Sequence, residues 1–269
     1  MLGREQIQIK TPDQVRQMRR AGLVVADIHA ALREAVRPGT TTAELDAVCA
    51  QVIASNGAHS NFLGYYDYPA TVCVSVNDEV VHGIPGPRTL QAGDLVTFNC
   101  GAYITDDDGV QWHGDAAFTT VVGGRYDGDS NRILDRTTHQ ALWAAIAAVA
   151  QAAAGQSGGR AQCLNAIGDA VEDAVEATAE RDGVRLGILE EYVGHGIGTR
   201  MHMAPDVLNY SVRRKGPRLR PGMVLAIEPM LTAGSARVRE LDDGWTVVTQ
   251  DGTRGAQWEH TVAIVPGGV

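Results

Sequence analysis

Apolar residues in the first part of the chain recur every three or four positions, which is the spacing of an amphipathic helix. The first such run begins at Thr11-Pro12, where threonine can cap and proline suits the first turn, and is predicted to end at Arg37-Pro38-Gly39. The second run begins at a capping box formed by Thr41 and Glu44 and is predicted to stop at Asn56-Gly57. Two consecutive helices are therefore expected to open the fold.

Short apolar runs, typical of strands, follow these helices. They cover residues 71–76, 95–98 and 118–122. After a break at Gly123-Gly124 the same order restarts. Helices are predicted near residues 134–154 and 161–181, followed by strand-like runs at residues 224–227, 246–248 and 261–265.

Two helices followed by strands, twice over, predict two similar halves. We place these halves at residues 11–124 and 131–265 of one domain that spans residues 11–265. Residues 1–10 and 266–269 are predicted to be terminal tails. The duplication is inferred from the order of the elements.

The composition is that of a globular protein. With 269 residues, of which 44% are hydrophobic, the chain can bury a sizeable core. Its net charge is −9, and it carries no long basic stripe of the kind that follows a phosphate backbone. We therefore expect no nucleic-acid partner.

Cysteine usage and hydropathy bear on location. The four cysteines are far apart in the sequence and form no C-x-x-C pair, so neither a zinc knuckle nor a disulfide framework is expected. The start of the chain lacks a signal-peptide pattern, and no apolar stretch approaches the ~20 residues that span a bilayer. These features predict a cytoplasmic protein without a membrane partner.

Five polar residues stand in short phrases marked by Gly, His or Pro that border strand-like runs: Asn99, Asp115, His195, Glu228 and Glu259. Carboxylate oxygens with one imidazole suit a divalent cation, and separate strands often supply such ligands. The first two residues fall in the first predicted half and the other three in the second. We therefore predict a metal-centred catalytic site at the seam, where clefts usually lie.

The phrases around these residues closely resemble those of type I methionine aminopeptidases. The matching phrases are Val80–Pro85, His113–Asp115, Gly194–Gly198, Ile227–Met230 and Glu259–Thr261. They keep a consistent order across the chain, which makes chance agreement remote compared with a lone short motif. The resemblance implies the α+β pita-bread fold of creatinases and aminopeptidases, with two pseudo-symmetric αβ halves and curved antiparallel sheets.

The resemblance also implies roles for individual residues. Asp115, His195, Glu228 and Glu259 match metal ligands of that family. Catalytic roles in contacting substrate or moving protons are implied for His82, His202 and Glu228. The methionine side chain of the substrate is expected to lie among residues that, together with His82 and His202, form the pocket: Phe62, Tyr65, Tyr68, Cys73, Met201 and Trp245. Position 62 departs from family members that have cysteine there.

Asn99 is the main departure from the family pattern. It stands where the resemblance places an aspartate that chelates a second metal, and the turn that follows, at residues 105–111, is longer than usual. Three carboxylates do not neutralise the four positive charges of two dications, and an amide offers one neutral oxygen. We therefore expect one strong and one weak site for a divalent metal such as Co, Mn, Fe or Zn.

The function implied is a metal-dependent aminopeptidase that removes methionine from the N-terminus of peptides or nascent proteins. Two alternatives stay open at this point. One is a repurposed single-metal enzyme, with iron as the candidate, that acts on a small-molecule substrate. The other is a non-catalytic binder of peptides or of a peptidase inhibitor.

Overall fold

The computed structural model describes residues 6–156 and 158–269. Part of the predicted N-terminal tail, residues 1–5, lies outside the described residues. The rest of that tail is in contact with the protein, because the backbone N–H of Lys10 donates to the carbonyl oxygen of Gly222 at 2.7 Å. The division of the chain into residues 11–124 and 131–265 stays a prediction.

Four α-helices lie within the described residues: α1 (Pro12–Ala35), α2 (Thr42–Ser55), α3 (Asp129–Ala153) and α4 (Ala166–Asp182). Both predicted caps are confirmed, since the hydroxyls of Thr11 and Thr41 each accept from a backbone N–H three residues on. Among the described residues, no helix combines the length and the hydropathy needed to cross a bilayer.

Three helix boundaries differ from the prediction. Helix α1 ends at Ala35, ahead of the Arg37-Pro38-Gly39 turn. Helix α3 begins at Asp129 rather than near residue 134, because its first turn is polar and shows no apolar spacing. Helix α4 begins at Ala166 rather than near residue 161, because a short 3-10 turn at Gly159–Gln162 precedes it.

Every predicted strand-like run overlaps a strand of the structure, and further short strands lie between them. The short strands escaped prediction because two to five residues carry too little alternation to detect. The strands are β1 (His59–Ser60), β2 (Val72–Val76), β3 (Glu79–Val81), β4 (Leu95–Thr105), β5 (Gln111–Val121), β6 (Gly187–Ile188), β7 (Gly194–Gly196), β8 (Met203–Val207), β9 (Val224–Ile227), β10 (Met230–Thr232), β11 (Val238–Glu240), β12 (Val247–Thr249), β13 (Gly255–Gln257) and β14 (Glu259–Ala263).

The main sheet is antiparallel and joins strands from both parts of the chain. Its order is β1-β4-β5-β14-β9-β7-β8, and β2 also pairs with β4. Two three-stranded sheets, β13-β10-β6 and β11-β12-β3, complete the described strands. One core cluster joins α1 and α2 to β2, β4 and β5, and it contains the cross-strand pair Phe98 and Phe118. A second cluster joins α3 and α4 to β8, β9 and β14.

Strands β4 and β5 have 11 residues each and form a hairpin, and both strands are longer than the predicted runs. Two glycines interrupt its apolar pattern, and both are required by close packing. A Cβ on Gly101 would lie 2.6 Å from the Asn61 amide nitrogen, and one on Gly114 would lie 2.9 Å from the backbone nitrogen of Gly22 in α1. The missing side chain of Gly114 therefore lets α1 lie directly against the sheet, and that of Gly101 leaves room for Asn61.

Replacing Thr11 with alanine should lower the free energy of unfolding by about 1 kcal/mol, because it removes the acceptor that caps α1. The Thr11 hydroxyl accepts from the Gln14 N–H, and the Gln14 side chain accepts from the Thr11 N–H in return. Urea unfolding measures the change. Thr11→Ser keeps the hydroxyl and is the control, and equal losses in both variants would contradict the capping role.

Candidate metal centre

The five residues predicted as ligands lie on five neighbouring strands of the main sheet. Asn99 is on β4, Asp115 on β5 and Glu259 on β14. Glu228 directly follows β9, and His195 is the central residue of β7. Because β4, β5, β14, β9 and β7 are consecutive in the sheet, the chain brings these distant residues side by side.

The register of the first three strands places their polar side chains on one face. Asn99 is the cross-strand partner of Ala117, and Ala117 is the partner of Glu259. Cross-strand partners share a face, as do residues two apart on a strand. Asp115 lies two residues before Ala117, so its side chain joins those of Asn99 and Glu259.

The same argument extends to the other two residues. His195 pairs with Ala226, and Ala226 pairs with Thr261. Thr261 lies two residues after Glu259, so His195 projects from the same face as Glu259. Glu228 lies two residues after Ala226 and continues that face at the end of β9.

The side chains meet closely. Asp115, His195 and Glu259 each offer a ligand atom, and these atoms lie within 4.8 Å of one another. Oε1 of Glu228 lies 3.6 Å from Nε2 of His195. These four residues are buried, and Asn99 is half-buried beside them. The structure thus brings together the four predicted ligands of the strong site and places Asn99 at its edge.

The oxygens of this cluster lack partners within the protein. Oδ1 of Asp115, both carboxylate oxygens of Glu259 and Oδ1 of Asn99 are buried without a hydrogen bond. Burial raises the pKa of Asp115, Glu228 and Glu259 well above the ordinary value, and repulsion from Asp115 raises it further for the other two. The Asn99 amide partly offsets the rise in the pKa of Glu259, although no atom pair there has good hydrogen-bond geometry.

This arrangement fits a divalent cation. Unpaired buried carboxyl groups are costly, and a cation both pairs with them and returns them to the ionised form. Burial lowers the pKa of His195 to about 3, so its imidazole is neutral and able to coordinate. Nδ1 of His195 donates to the carbonyl oxygen of Gly196 at 3.0 Å, which leaves the Nε2 lone pair facing the carboxylates.

Neighbouring polar groups hold the cluster in position. Nε2 of Gln257 donates to Oε2 of Glu228 at 3.0 Å, and Nδ2 of Asn209 donates to the Glu228 carbonyl oxygen at 3.1 Å. The Thr261 hydroxyl accepts from the Asp115 N–H and donates to the Asp115 carbonyl oxygen. Sequence reasoning missed these three residues. The signal for Thr261 was its place two residues after Glu259, on the same face.

The six residues predicted to line a methionine pocket form one apolar cluster. Ala70 and Ile84 join it and were not predicted, because small or aliphatic side chains carry no chemical signal in a sequence. The predicted members are Phe62, Tyr65, Tyr68, Cys73, Met201 and Trp245.

The two predicted catalytic histidines contact this apolar cluster, and His202 also contacts His195. The His202 ring is 4.3 Å from the His195 ring, and Nδ1 of His202 is 2.7 Å from the Tyr65 hydroxyl. The His82 ring packs edge-on against Trp245 at 6.0 Å. The apolar cluster therefore lies directly beside the candidate metal centre.

His82 is held in an uncommon conformation. Its backbone φ is +60°, in the left-handed region that non-glycine residues rarely adopt. Burial lowers the pKa of its imidazole to about 4, so the ring is neutral at physiological pH. Its second ring contact is with Tyr192 at 5.5 Å, which sequence reasoning did not single out. Strain of this kind persists where the surrounding structure enforces it, often at functional sites.

Known proteins resemble this chain over nearly its whole length. The sequence profile of metallopeptidase family M24 matches residues 16–266. Methionine aminopeptidase 1 of Mycobacterium tuberculosis is 44% identical over 99% of this chain and 94% of its own length. Methionine aminopeptidase 1 of Bacillus subtilis is 40% identical over 96% of both chains.

Solved structures agree in fold. The crystal structure of methionine aminopeptidase from Thermotoga maritima superimposes with a TM-score of 0.85 at 34% identity, covering 98% of this chain and 97% of that one. Prolidase from Pyrococcus furiosus gives a TM-score of 0.69 at 19% identity, covering 97% of this chain and 63% of that one. The second likeness concerns the fold alone.

Replacing Glu259 with glutamine should stabilise the metal-free protein, because it removes one of three mutually repelling buried carboxyl groups. A carboxyl group with a raised folded-state pKa is still protonated when the unfolded chain has ionised, so its contribution to stability falls as pH rises above about 4. In EDTA at pH 8, the free energy of unfolding of the variant should exceed that of the wild type by at least about 1 kcal/mol. This difference should shrink towards pH 4.

Urea unfolding at several pH values measures this gap in stability. Glu240→Gln changes an exposed glutamate on β11 and serves as the control, for which no pH-dependent gap is expected. Added divalent metal should raise the unfolding midpoint of the wild type more than that of Glu259→Gln. A gap that stays constant with pH would contradict the repulsion between these carboxyl groups.

Proposed function

The chain belongs to metallopeptidase family M24, and from this premise we propose how its residues remove methionine from the N-terminus of peptides or nascent proteins. The predicted pita-bread fold, mixed α and β with antiparallel sheets, is confirmed. The protein is a metal-dependent aminopeptidase. The roles assigned below to single residues are our proposal.

The observation that carries the proposal is the direct contact between two different environments. A buried cluster of three carboxyl groups and one imidazole adjoins an apolar cluster rich in aromatic rings, and His202 contacts a member of each, His195 and Tyr65. Hydrolysis of an N-terminal peptide bond needs a charged centre for the reacting carbonyl and an apolar site for the side chain that precedes it. This juxtaposition supports aminopeptidase chemistry over a purely binding role.

Asp115, His195, Glu228 and Glu259 would hold the cation. When bound, a divalent cation polarises the scissile carbonyl and lowers the pKa of a water molecule towards neutrality. Glu228 takes the proton of the attacking water, a role for which a carboxylate beside a cation is suited. The amide of Gln257 fixes one oxygen of Glu228 and leaves the other directed towards His195.

His202 donates a hydrogen bond to the reacting carbonyl oxygen. Burial raises the pKa of Tyr65, so its phenol stays protonated and donates to Nδ1 of His202. Burial lowers the pKa of His202, so the ring is neutral, and Nε2 carries the single proton. His82 contacts the substrate backbone from the other side of the pocket.

The apolar pocket selects methionine by shape and polarisability. Tyr68 packs edge-on against Phe62 at 6.4 Å and against Trp245 at 5.0 Å, so the cluster presents both ring edges and ring faces. A thioether gains favourable contacts with aromatic rings, and an unbranched side chain adapts to the gap between them. We propose a cytoplasmic location, in keeping with four cysteines that are all free thiols.

Asn99 weakens the second cation site. Its Oδ1 is buried without a hydrogen bond, so one neutral oxygen faces the cluster where a carboxylate would add a negative charge. Asp106 in the following turn does not replace that charge. Its carboxylate accepts from Trp112 and from the backbone N–H of Val110, and the turn lies about 20 Å along the strand from Asn99.

Peptides that begin with Met-Ala should release free methionine when the protein is loaded with cobalt, manganese, iron or zinc, and EDTA should abolish the release. His202→Ala should lower kcat about 100-fold or more, because it removes the donor to the carbonyl oxygen. Amino-acid analysis measures the product. His59→Ala changes an exposed histidine and is the control. Absence of methionine with all four metals would overturn the proposed function.

Asn99→Asp should raise the number of tightly bound cations from about one to about two per chain, because it supplies the missing negative charge. Metal analysis after equilibrium dialysis at micromolar metal measures the stoichiometry, and calorimetry measures both affinities. Asn99→Ala lacks the charge as well as the amide oxygen and should stay near one. Two tight cations in the wild type would contradict a weak second site.

A further inference from the structure

A second cavity adjoins the metal centre, and we call it the β8 cavity. It has a volume of about 1080 Å³, and His195 and His202 form part of its wall. Among the described residues, the six that form the apolar methionine pocket do not line it. His202 therefore has the methionine pocket on one side and the β8 cavity on the other.

Strand β8 runs along this cavity. It begins directly after His202, and its five residues lie opposite only the three residues of β7, because the register shifts between His195 and Gly196. It is an edge strand, paired on one side with β7. Asp206 is the cross-strand partner of His195, so this part of β8 shares the face that carries the metal ligands.

The far end of the β8 cavity carries positive charge. Arg214 and Lys215 both line it. The carbonyl oxygen of Lys215 accepts from the N–H of Asn165, at the start of α4. The start of α4 also lies against the end of β8, since a Cβ on Gly168 would be 3.0 Å from the carbonyl oxygen of Leu208. The two basic residues are therefore near the end of β8 that is remote from His202.

This basic end stands out in an acidic protein. Residues 213–220 include five basic residues and no acidic residue, whereas the whole chain has a net charge of −9. Arg213 lines a different hollow, together with Asp169, Glu172 and Asp173. In the β8 cavity the acidic lining residue is Asp206, opposite His195. Among the described charged residues that line the cavity, the two basic side chains, Arg214 and Lys215, therefore outnumber the one acidic side chain.

We infer, building on the proposed aminopeptidase function, that the β8 cavity holds the residues that follow the N-terminal methionine and that Arg214 and Lys215 bind a carboxylate there. The cavity volume is at the upper end for ligand sites, which suits several residues of extended chain. The carboxylate belongs to a residue beyond position two, because the first two residues flank the bond that is cleaved at the metal centre. It comes either from an Asp or Glu side chain or from the C-terminus of a short peptide.

The first experiment compares amidated hexapeptides that begin with Met-Ala and carry either Glu or Gln at position three, four, five or six. We expect kcat/KM to be roughly twofold to fivefold higher for Glu than for Gln at one or more of these positions, the size of effect given by an exposed ion pair. Added potassium chloride should reduce this preference, because salt screens exposed charges.

Variants assign the preference to the two residues. Arg214→Gln combined with Lys215→Gln should bring the Glu-to-Gln ratio to about one. The matched control is Arg218→Gln combined with Arg220→Gln, which makes the same change of charge at exposed positions outside the cavity wall and should keep the ratio. If the control variant lost the preference for Glu to the same extent, the effect would come from the overall charge of the protein, and the inference would be overturned.

A second comparison distinguishes the two sources of the carboxylate. Pentapeptides without acidic residues are compared as free acids and as amides. A preference for the free acid, removed by the Arg214 and Lys215 changes, assigns the site to the C-terminus of short peptides. A preference found only with Glu in amidated peptides assigns it to an acidic side chain.

Failure of this inference differs from failure of the proposed function. Methionine release that is equal for every Glu and Gln peptide, with free acids equal to amides, overturns the inference and leaves the function intact. If no peptide releases methionine, the proposed function fails, and calorimetric Kd values for the same peptide pairs still decide the inference. Equal affinities in every pair would then overturn it.

Discussion

Repulsion among three buried carboxyl groups is the constraint on which the site depends. Asp115, Glu228 and Glu259 come from three strands of one sheet and are buried together, and burial and mutual repulsion raise their pKa. Without a counter-charge, the protein must protonate them or lose stability. With a cation, the same groups become ionised ligands. Metal binding and the ionisation of these carboxyl groups are therefore coupled in a single equilibrium. Hydrogen bonds from Gln257 to Glu228 and from Thr261 to Asp115 hold two of the three residues in position.

The antiparallel register makes this concentration of charge possible. Side chains alternate between the faces of a sheet, so a slip of one residue in any pair of strands would turn a ligand towards the helices. The pairing of β5 with β14 joins residues far apart in the sequence, and the Thr261 hydroxyl bonded to both backbone groups of Asp115 locks that register. On the opposite face, Phe98 and Phe118 pack into the helical core. One register thus positions both the core and the metal ligands.

The sequence predicted the features that depend on local chemistry, and missed those that depend on tertiary contact. The Thr11 cap can be read from neighbouring residues, and the metal cluster from motifs in a consistent order. The full length of the β4–β5 hairpin could not, because Gly101 and Gly114 are set by atoms packed against them from elsewhere in the fold. Gln257 and the β8 cavity carry no motif, since a single hydrogen bond and an empty space become visible only when the strands are assembled.

His202 contacts both the apolar cluster and the β8 cavity, and the size of each interaction decides the relative importance that we propose for them. Transferring a methionine side chain from water into the aromatic pocket is worth about 1.5–3 kcal/mol. An exposed ion pair at Arg214 or Lys215 contributes about 0.2–1 kcal/mol and weakens with salt. In the proposed function, the apolar cluster therefore decides whether a peptide is accepted, and the basic residues of the β8 cavity only rank the peptides that pass. Selection at the first residue is thus dominated by burial, whereas selection further along the chain is a smaller effect that depends on ionic strength.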